Sequence, residues 1–208
     1  MIPFLNVGWQ TTPDYSLGER DTDVLSVIND EDLTVFTFDG LKRRLGLHPE
    51  TLSRILARLE QEGLLKKEVN GYRVSPKVTK LKLHETRNED NHVPLLQTYL
   101  PSNMQIQHLI ANLNGKWFGL LRWFGLSENN RGVTLKWITE DGGIQINAII
   151  ADSTLSIEAK FLRENNLNLA LNASYQLMSH IGKLCSGSRV TATHVGYFGD
   201  GNTFLMPA

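Results

Sequence analysis

The side chains with the clearest chemistry in this sequence are basic and small polar ones, concentrated in residues 41–82. That segment carries eleven Lys and Arg residues against four Glu residues, a net charge of +7. Residues 1–40 carry a net charge of −7, and residues 83–208 carry −1. Grouped guanidinium and ammonium groups can donate hydrogen bonds to phosphate oxygens. The block is therefore typical of a surface that binds a polyanion.

One predicted helix within this segment has an apolar face and a polar face. Pro49 suits its first position, and Gly63 is a typical residue just after a helix. Leucine and isoleucine recur between them at helical spacing, which predicts a buried face. Glu50 favours the helix start, although it can also accept a hydrogen bond from a cytosine amine. On the polar face, small side chains permit close approach to base edges and arginines reach guanine or phosphate. The predicted contact residues of this helix are Thr51, Ser53, Arg54 and Arg58.

Further basic side chains lie on both sides of this helix. A short helix precedes it, capped by Thr37 and ended at Gly46. Two β-rich runs follow it, joined by Asn70-Gly71, a dipeptide typical of a tight hairpin because both residues tolerate positive φ. Cations on such a hairpin can hold flanking phosphates or enter the minor groove. These additional candidates are Lys42, Arg43 and Arg44 on the short helix, and Lys66, Lys67 and Arg73 on the hairpin.

Residues 37–65, TFDGLKRRLGLHPETLSRILARLEQEGLL, resemble the winged helix-turn-helix of the MarR- and ArsR-like transcription regulators. In those families a capped helix and a turn precede a recognition helix that ends in a leucine-glutamate-x-x-glycine-leucine phrase. A basic β-hairpin, the wing, follows. Here the phrase is LEQEGL at residues 59–64, and the wing corresponds to residues 65–74. The resemblance implies a DNA-binding domain over about residues 20–82, with its third helix in the major groove.

The sequence patterns divide the chain into four parts. We expect an arm over residues 1–18, a winged helix-turn-helix over 19–82, a polar linker over 83–94 and an α+β domain over 95–208. The predicted fold class is thus α+β: three helices and a hairpin wing, followed by an antiparallel sheet packed by helices. The elements expected in the last part are strands over 93–100, 116–124, 133–139, 144–151, 154–162 and 189–198, and helices over 102–115 and 163–184.

Aromatic side chains in the last part offer a second candidate site. The run KWFGLLRWFGL at residues 116–126 contains a near-repeat. Taken as a strand, it points tryptophans to one face, where they can line a pocket for a small-molecule effector. The alternative is that they form sheet core and an oligomer interface. The candidate ligand-binding residues are Trp117, Trp123, Trp137 and Tyr175.

The sequence gives little support for a metal site, a catalytic site, or a secretory or membrane segment. No His, Cys, Asp or Glu spacing matches a zinc signature, so we expect no metal and no cofactor. A Gly-rich phosphate loop, a nucleophile elbow and a tight carboxylate pair are all missing, so we do not expect an enzyme. The single cysteine, Cys185, and the lack of a signal-like start or a long apolar run favour a cytoplasmic protein with no membrane segment.

These patterns lead to one main expectation and two alternatives. The main expectation is a transcription regulator that binds double-stranded DNA as a homodimer, with a C-terminal domain that dimerises or senses a ligand. The first alternative is a winged helix used as a protein–protein interaction module in a larger assembly. The second is an enzyme that the winged helix delivers to nucleic acid, which would require a convergent polar cleft.

Overall fold

The computed structural model describes residues 17–78, 92–102, 104–130, 132–163, 165–185 and 192–193. Nearly all of the expected arm and most of the expected linker lie outside these residues. In chain order the elements are α1 (Glu19–Asp30), β1 (Val35–Phe36), α2 (Phe38–Leu45), α3 (Pro49–Gln61), β2 (Leu65–Glu68), β3 (Gly71–Val74), β4 (His92–Tyr99), α4 (Ile106–Leu113), β5 (Leu121–Asn129), β6 (Gly132–Thr139), β7 (Ile144–Ala151), β8 (Thr154–Phe161), α5 (Leu167–Leu184) and β9 (Ala192–Thr193).

The described residues form a mixed α and β fold built on one antiparallel sheet. Its strand order is β2-β3-β1-β5-β6-β7-β8-β4-β9. Each neighbouring pair in this order is antiparallel. Strands β5 to β8 follow each other as hairpins, which is the simplest antiparallel arrangement. The antiparallel sheet expected from the sequence is therefore present, and it also extends into the N-terminal part of the chain.

The short strand β1 connects the two parts of the sheet. Phe36 pairs with Tyr72 of β3 on one side and with Gly125 of β5 on the other. A side chain on Gly71 would overlap the carbonyl oxygen of Phe36, so only glycine permits this close approach. The hairpin β2–β3 and the C-terminal strands are consequently hydrogen-bonded through two residues of β1.

Two buried clusters of apolar side chains lie in the molecule. One is formed by α4, α5 and the sheet residues that face them, including Trp137 and the alternating Leu155, Ile157 and Ala159. The other is formed by α1, α2, α3 and the hairpin, and it also contains Phe124 of β5 and Ile138 of β6. Since β5 and β6 each supply a fully buried residue to this second cluster, the N-terminal helices pack directly on the C-terminal strands.

Several element boundaries differ from those expected. Strand β5 begins at Leu121, five residues later than predicted, because Phe118 and Leu121 close a tight turn through reciprocal backbone hydrogen bonds of 2.8 and 3.0 Å. Gly119 occupies the positive φ of that turn. Helix α5 begins at Leu167 instead of residue 163. The Asn166 side chain caps this start by accepting a hydrogen bond from the Leu169 N–H.

Two further expectations, one on the turn of the hairpin and one on the start of a helix, also need correction. The hairpin β2–β3 exists, but its turn residues are Val69 and Asn70, because Gly71 pairs with Glu68 and belongs to β3. Helix α4 begins at Ile106, four residues after the expected cap at Ser102. Of the strand expected over 189–198, only Ala192–Thr193 falls within the described residues, and it pairs with β4.

Candidate nucleic-acid interface

Helix α3 has the two faces that its sequence predicts. Pro49 occupies its first turn, and the His48 side chain accepts a hydrogen bond from the Glu50 N–H. Leu52, Ile55, Leu56 and Leu59 are buried. The opposite face, which we name the α3 surface, is solvent-accessible and consists of Thr51, Ser53, Arg54, Ala57 and Arg58. Its most exposed cation is Arg54, with 72% of the side chain accessible.

The hairpin β2–β3 lies beside this helix and carries exposed cations. The backbone N–H of Lys67 donates to the Glu60 carboxylate at 3.2 Å, which ties the hairpin to the last turn of α3. The side chains of Lys66 and Lys67 are exposed and form no ion pair with another described residue. Arg73 pairs with Glu68 on the same hairpin, Nε to Oε1 at 2.6 Å. The structure thus brings the predicted helix and hairpin residues to neighbouring positions.

Arg58 of the α3 surface is bound to a buried carboxylate from another helix. Its Nε and Nη2 donate to the two oxygens of Asp21, at 3.1 and 2.5 Å. The Asp21 side chain is 1% exposed, whereas that of Arg58 is 49% exposed. Burial alone would raise the pKa of the Asp21 carboxyl, but hydrogen bonds from Arg58 and from the Gly18 N–H hold it below its usual value.

Arg44 pairs with a buried carboxylate and is itself largely buried. Its Nη2 is 3.3 Å from the carboxylate of Glu31, and only 16% of its side chain is exposed. Glu31 also accepts hydrogen bonds from side chains of β6, β7 and β8, which approach it to between 2.7 and 3.1 Å. We name this group the Glu31 cluster: Glu31, Arg44, Lys136, Gln145 and Lys160.

The Glu31 cluster joins the N-terminal helices to the C-terminal strands. Glu31 caps the end of α1, while three of its partners belong to the sheet. Burial would raise the pKa of Glu31, but the charges of Lys136 and Lys160 outweigh that effect and hold it far below its usual value. The cluster therefore contains a carboxylate ionised at neutral pH, surrounded by cations that are themselves largely buried.

Ion pairing reduces the positive charge that the sequence places in residues 41–82. Five of the nine described cations in this segment pair with carboxylates. Three of the partner acids, Asp21, Glu31 and Asp39, come from the strongly acidic residues 1–40. The cations that form no ion pair with another described residue are Arg43, Lys66, Lys67 and Lys77. Asp21 and Glu31 were not predicted as partners from the sequence, although the opposite charges of the two segments were a signal.

The four candidate aromatic residues divide into a buried pair and two exposed side chains. Trp123 and Trp137 are buried against each other with ring centroids 5.2 Å apart, and the Trp137 indole N–H donates to the Lys116 carbonyl. Tyr175 is exposed on α5, and Trp117 is exposed beneath the guanidinium of Arg122 at 4.8 Å. The buried pair agrees with the sheet-core alternative.

Trp117 and Trp123 do border one open cleft, of about 880 Å³, between the hairpin and the turn after α4. Acidic and basic side chains are equal in number among the described residues that line it, so their charge favours no particular ligand. The charged side chains that line it are Asp39, Arg43, Glu68, Arg73, Lys116 and Glu128.

Searches for other kinds of site among the described residues give few candidates. No group of three or more His, Cys, Asp or Glu side chains there is arranged to hold a metal ion. His180 instead packs on Phe118 with ring centroids 4.7 Å apart, and Cys185 is a buried free thiol. None of the helices in the described part of the chain combines the length and the apolarity that crossing a membrane requires. Comparison with family models and with curated proteins gives no match to this chain.

Proposed function

We propose that the chain is a DNA-binding transcription regulator that places α3 in the major groove and the hairpin β2–β3 on the flanking backbone. The element order α1-β1-α2-α3-β2-β3 agrees with the three helices and hairpin expected of a winged helix-turn-helix, which supports this proposal. The observation that carries it is the exposed α3 surface, beside a hairpin with exposed lysines. No described element covers that surface, so a double helix has access to it.

The proposal assigns different roles to the two ends of α3. Recognition helices contact base edges mainly with their N-terminal residues, so Thr51, Ser53 and Arg54 are the candidates for reading sequence. Among the described residues, Arg54 pairs only with Glu50, one helical turn away, and both side chains are largely exposed. An exposed pair of this kind contributes about 0.3–0.5 kcal/mol, so a base edge can replace Glu50 as the partner of Arg54.

Phosphate contacts fall to the cations around the helix. Arg43 and the lysines of the hairpin form no ion pair with another described residue, so their charges are free for phosphate oxygens. Such contacts fix position and orientation but carry no sequence information. Arg44 does not belong to this set in our proposal, because the Glu31 cluster holds it.

For the C-terminal part we propose dimerisation, ligand sensing, or both. A homodimer would bind two half-sites related by two-fold symmetry, about 10 base pairs apart or a multiple of that spacing. The cleft beside Trp117 is where an effector would bind close to the hairpin.

Selection of bound sequences from a random duplex pool tests the proposal. A regulator enriches a defined motif, and a homodimer enriches an inverted repeat with fixed half-site spacing. Arg54→Ala should abolish or relax the motif, whereas Lys183→Ala, which removes an exposed cation from α5, is the matched control and should leave it unchanged. Enrichment of no motif, together with no retention of duplex, would refute the proposal.

A second candidate function is a protein–protein interaction module. The ion pairing of five cations favours it, because less positive charge is then free for DNA than the number of Lys and Arg residues suggests. A gel shift with random duplex separates the two candidates. The module predicts no shift at micromolar protein, whereas the regulator predicts a shift that added salt removes.

A further inference from the structure

The pair formed by Asp21 and Arg58 differs from an ordinary surface ion pair. A guanidinium carries five N–H donors, and Asp21 accepts from Nε and Nη2, along one edge of the group. No other described residue accepts a hydrogen bond from the N–H groups along the other edge, so these can meet a second acceptor. Because the Asp21 carboxylate is almost fully buried, it does not exchange freely with water as an exposed carboxylate does.

The position of Arg58 in the helix indicates which acceptor it meets. Arg58 lies in the last turn of α3, three residues before the helix ends at Gln61. Base edges are contacted mainly from the other end of a recognition helix, so the last turn faces the sugar–phosphate backbone. A phosphate takes two parallel N–H groups from an arginine in the same way as a carboxylate does.

We infer that Asp21 is a positioning residue, which holds Arg58 by one edge so that the other edge binds a DNA phosphate. This inference rests on the proposed DNA-binding function. Asp21 itself does not contact DNA, and its negative charge repels phosphates. Asp21 contributes by ordering the flexible Arg58 side chain before DNA binds. Binding then loses less side-chain conformational entropy.

The inference and simple electrostatics predict opposite results for Asp21→Asn. This substitution makes the protein more positive by one charge, so electrostatics alone predicts tighter binding. If Asp21 positions Arg58, binding weakens about twofold to tenfold, which is the cost of ordering one rotamer-rich side chain. Asparagine still offers an oxygen to the Gly18 N–H, so the start of α1 keeps its cap.

Glu50→Gln is the matched control, because it also removes a carboxylate from an arginine of α3. Glu50 and Arg54 are both exposed, so Glu50 orders its partner weakly. We expect Glu50→Gln to tighten binding to random duplex or leave it unchanged, while Asp21→Asn weakens it. Both variants are compared with wild type by fluorescence anisotropy on a labelled random-sequence duplex, at a temperature where circular dichroism shows all three folded.

Arg58→Gln and the double variant Asp21→Asn/Arg58→Gln complete the experiment. Arg58→Gln should lower the salt dependence of binding by about 0.9 in the slope of log K against log salt, the value for one lost phosphate contact. The double variant should bind no more weakly than Arg58→Gln alone. If the pair merely stabilised the fold, its loss would lower the melting temperature without moving this slope.

A measurement on the wild-type protein covers the case in which Asp21→Asn does not fold. The Arg58 Nε–H signal in NMR spectra should stay protected from exchange in the DNA complex, because Asp21 still accepts from it. Loss of that protection on binding would overturn the inference, as would equal or tighter binding by Asp21→Asn. Either result leaves the proposed function intact if wild type binds duplex, whereas failure of wild type to bind refutes both.

Discussion

Helix α1 has a buried carboxylate near each end, and the two are used differently. Asp21, near the start, binds one arginine, and half of that arginine side chain remains in contact with water. Glu31, just after the end, is shared by Arg44 and by three side chains of the sheet, and all of these are largely buried. A carboxylate with one partner leaves a cation available at the surface, whereas one with several cationic partners withdraws them into the interior.

This difference determines which cations are available to bind a polyanion. Arg44 and Arg58 are equivalent in a count of charges, yet 49% of the Arg58 side chain is exposed against 16% of the Arg44 side chain. The Glu31 cluster instead stabilises the contact between the N-terminal helices and strands β6 to β8. The first arrangement therefore belongs to the candidate interface and the second to the fold.

The largest expected effect is on stability and concerns Glu31. Glu31→Gln leaves three cations without their common carboxylate, and loss of one partner from a buried ion pair costs about 3–5 kcal/mol. Chemical denaturation should show this decrease in the free energy of unfolding at pH 7. A decrease below about 1 kcal/mol, in the range of an exposed pair, would show that the cluster is not the stabilising element we describe.

The same substitution has an expected pH dependence. Because the folded protein lowers the pKa of Glu31, its contribution to stability is fully present above the ordinary value of 4.5 and is lost as pH falls below it. The difference in unfolding free energy between wild type and Glu31→Gln should therefore be constant from pH 7 to about pH 5 and decrease in more acidic solution. A difference that grows on acidification would contradict the assigned sign.

The next effect concerns sequence recognition by Arg54. Arg54→Ala should weaken binding to a selected site by about 1–3 kcal/mol, with a much smaller effect on random duplex. Lys67→Ala, on the hairpin, should weaken both duplexes equally, because a phosphate contact is independent of sequence. Equal losses for the two variants on both duplexes would show that these roles are wrongly assigned.

A smaller effect separates two adjacent arginines of α2. Arg43→Ala should lower the salt slope of DNA binding by about 0.9 with little change in stability, since Arg43 forms no ion pair with another described residue. Arg44→Ala should destabilise the protein and leave the slope unchanged, since Arg44 belongs to the Glu31 cluster. If Arg43→Ala instead lowered stability and Arg44→Ala instead lowered the salt slope, our distinction between surface and buried cations would be wrong.

Much of the local structure was predictable, because periodicity reports which side of an element is buried. The apolar face of α3 and the strand at β8 were expected from the sequence pattern and are confirmed. The hairpin β2–β3 was expected from Asn70-Gly71, and it exists with its turn one residue earlier. The boundaries of β5 and α5 were wrong, because Gly119 and Asn166 impose a turn and a cap that apolar spacing does not reveal.

Long-range partners were not predictable in the same way. Periodicity shows that a residue is buried but not which element buries it. Nothing local indicates that Phe36 pairs with Gly125, or that Phe124 packs among the N-terminal helices. The same holds for the candidate interface. The sequence predicts the exposed face of α3, but only the structure shows that Arg58 and Arg44 pair with acids at the two ends of α1.

The most direct test of the account is a salt titration of wild-type binding to a random-sequence duplex, with Lys66→Ala/Lys67→Ala as the variant and Lys183→Ala as the control. We expect log K to fall linearly with log salt at about −0.9 per phosphate contact. In the double variant this slope should be less steep, by the amount that corresponds to one or two lost contacts. The control should match wild type. Absence of binding at micromolar protein in low salt, or affinity that does not change with salt, would contradict the central claim.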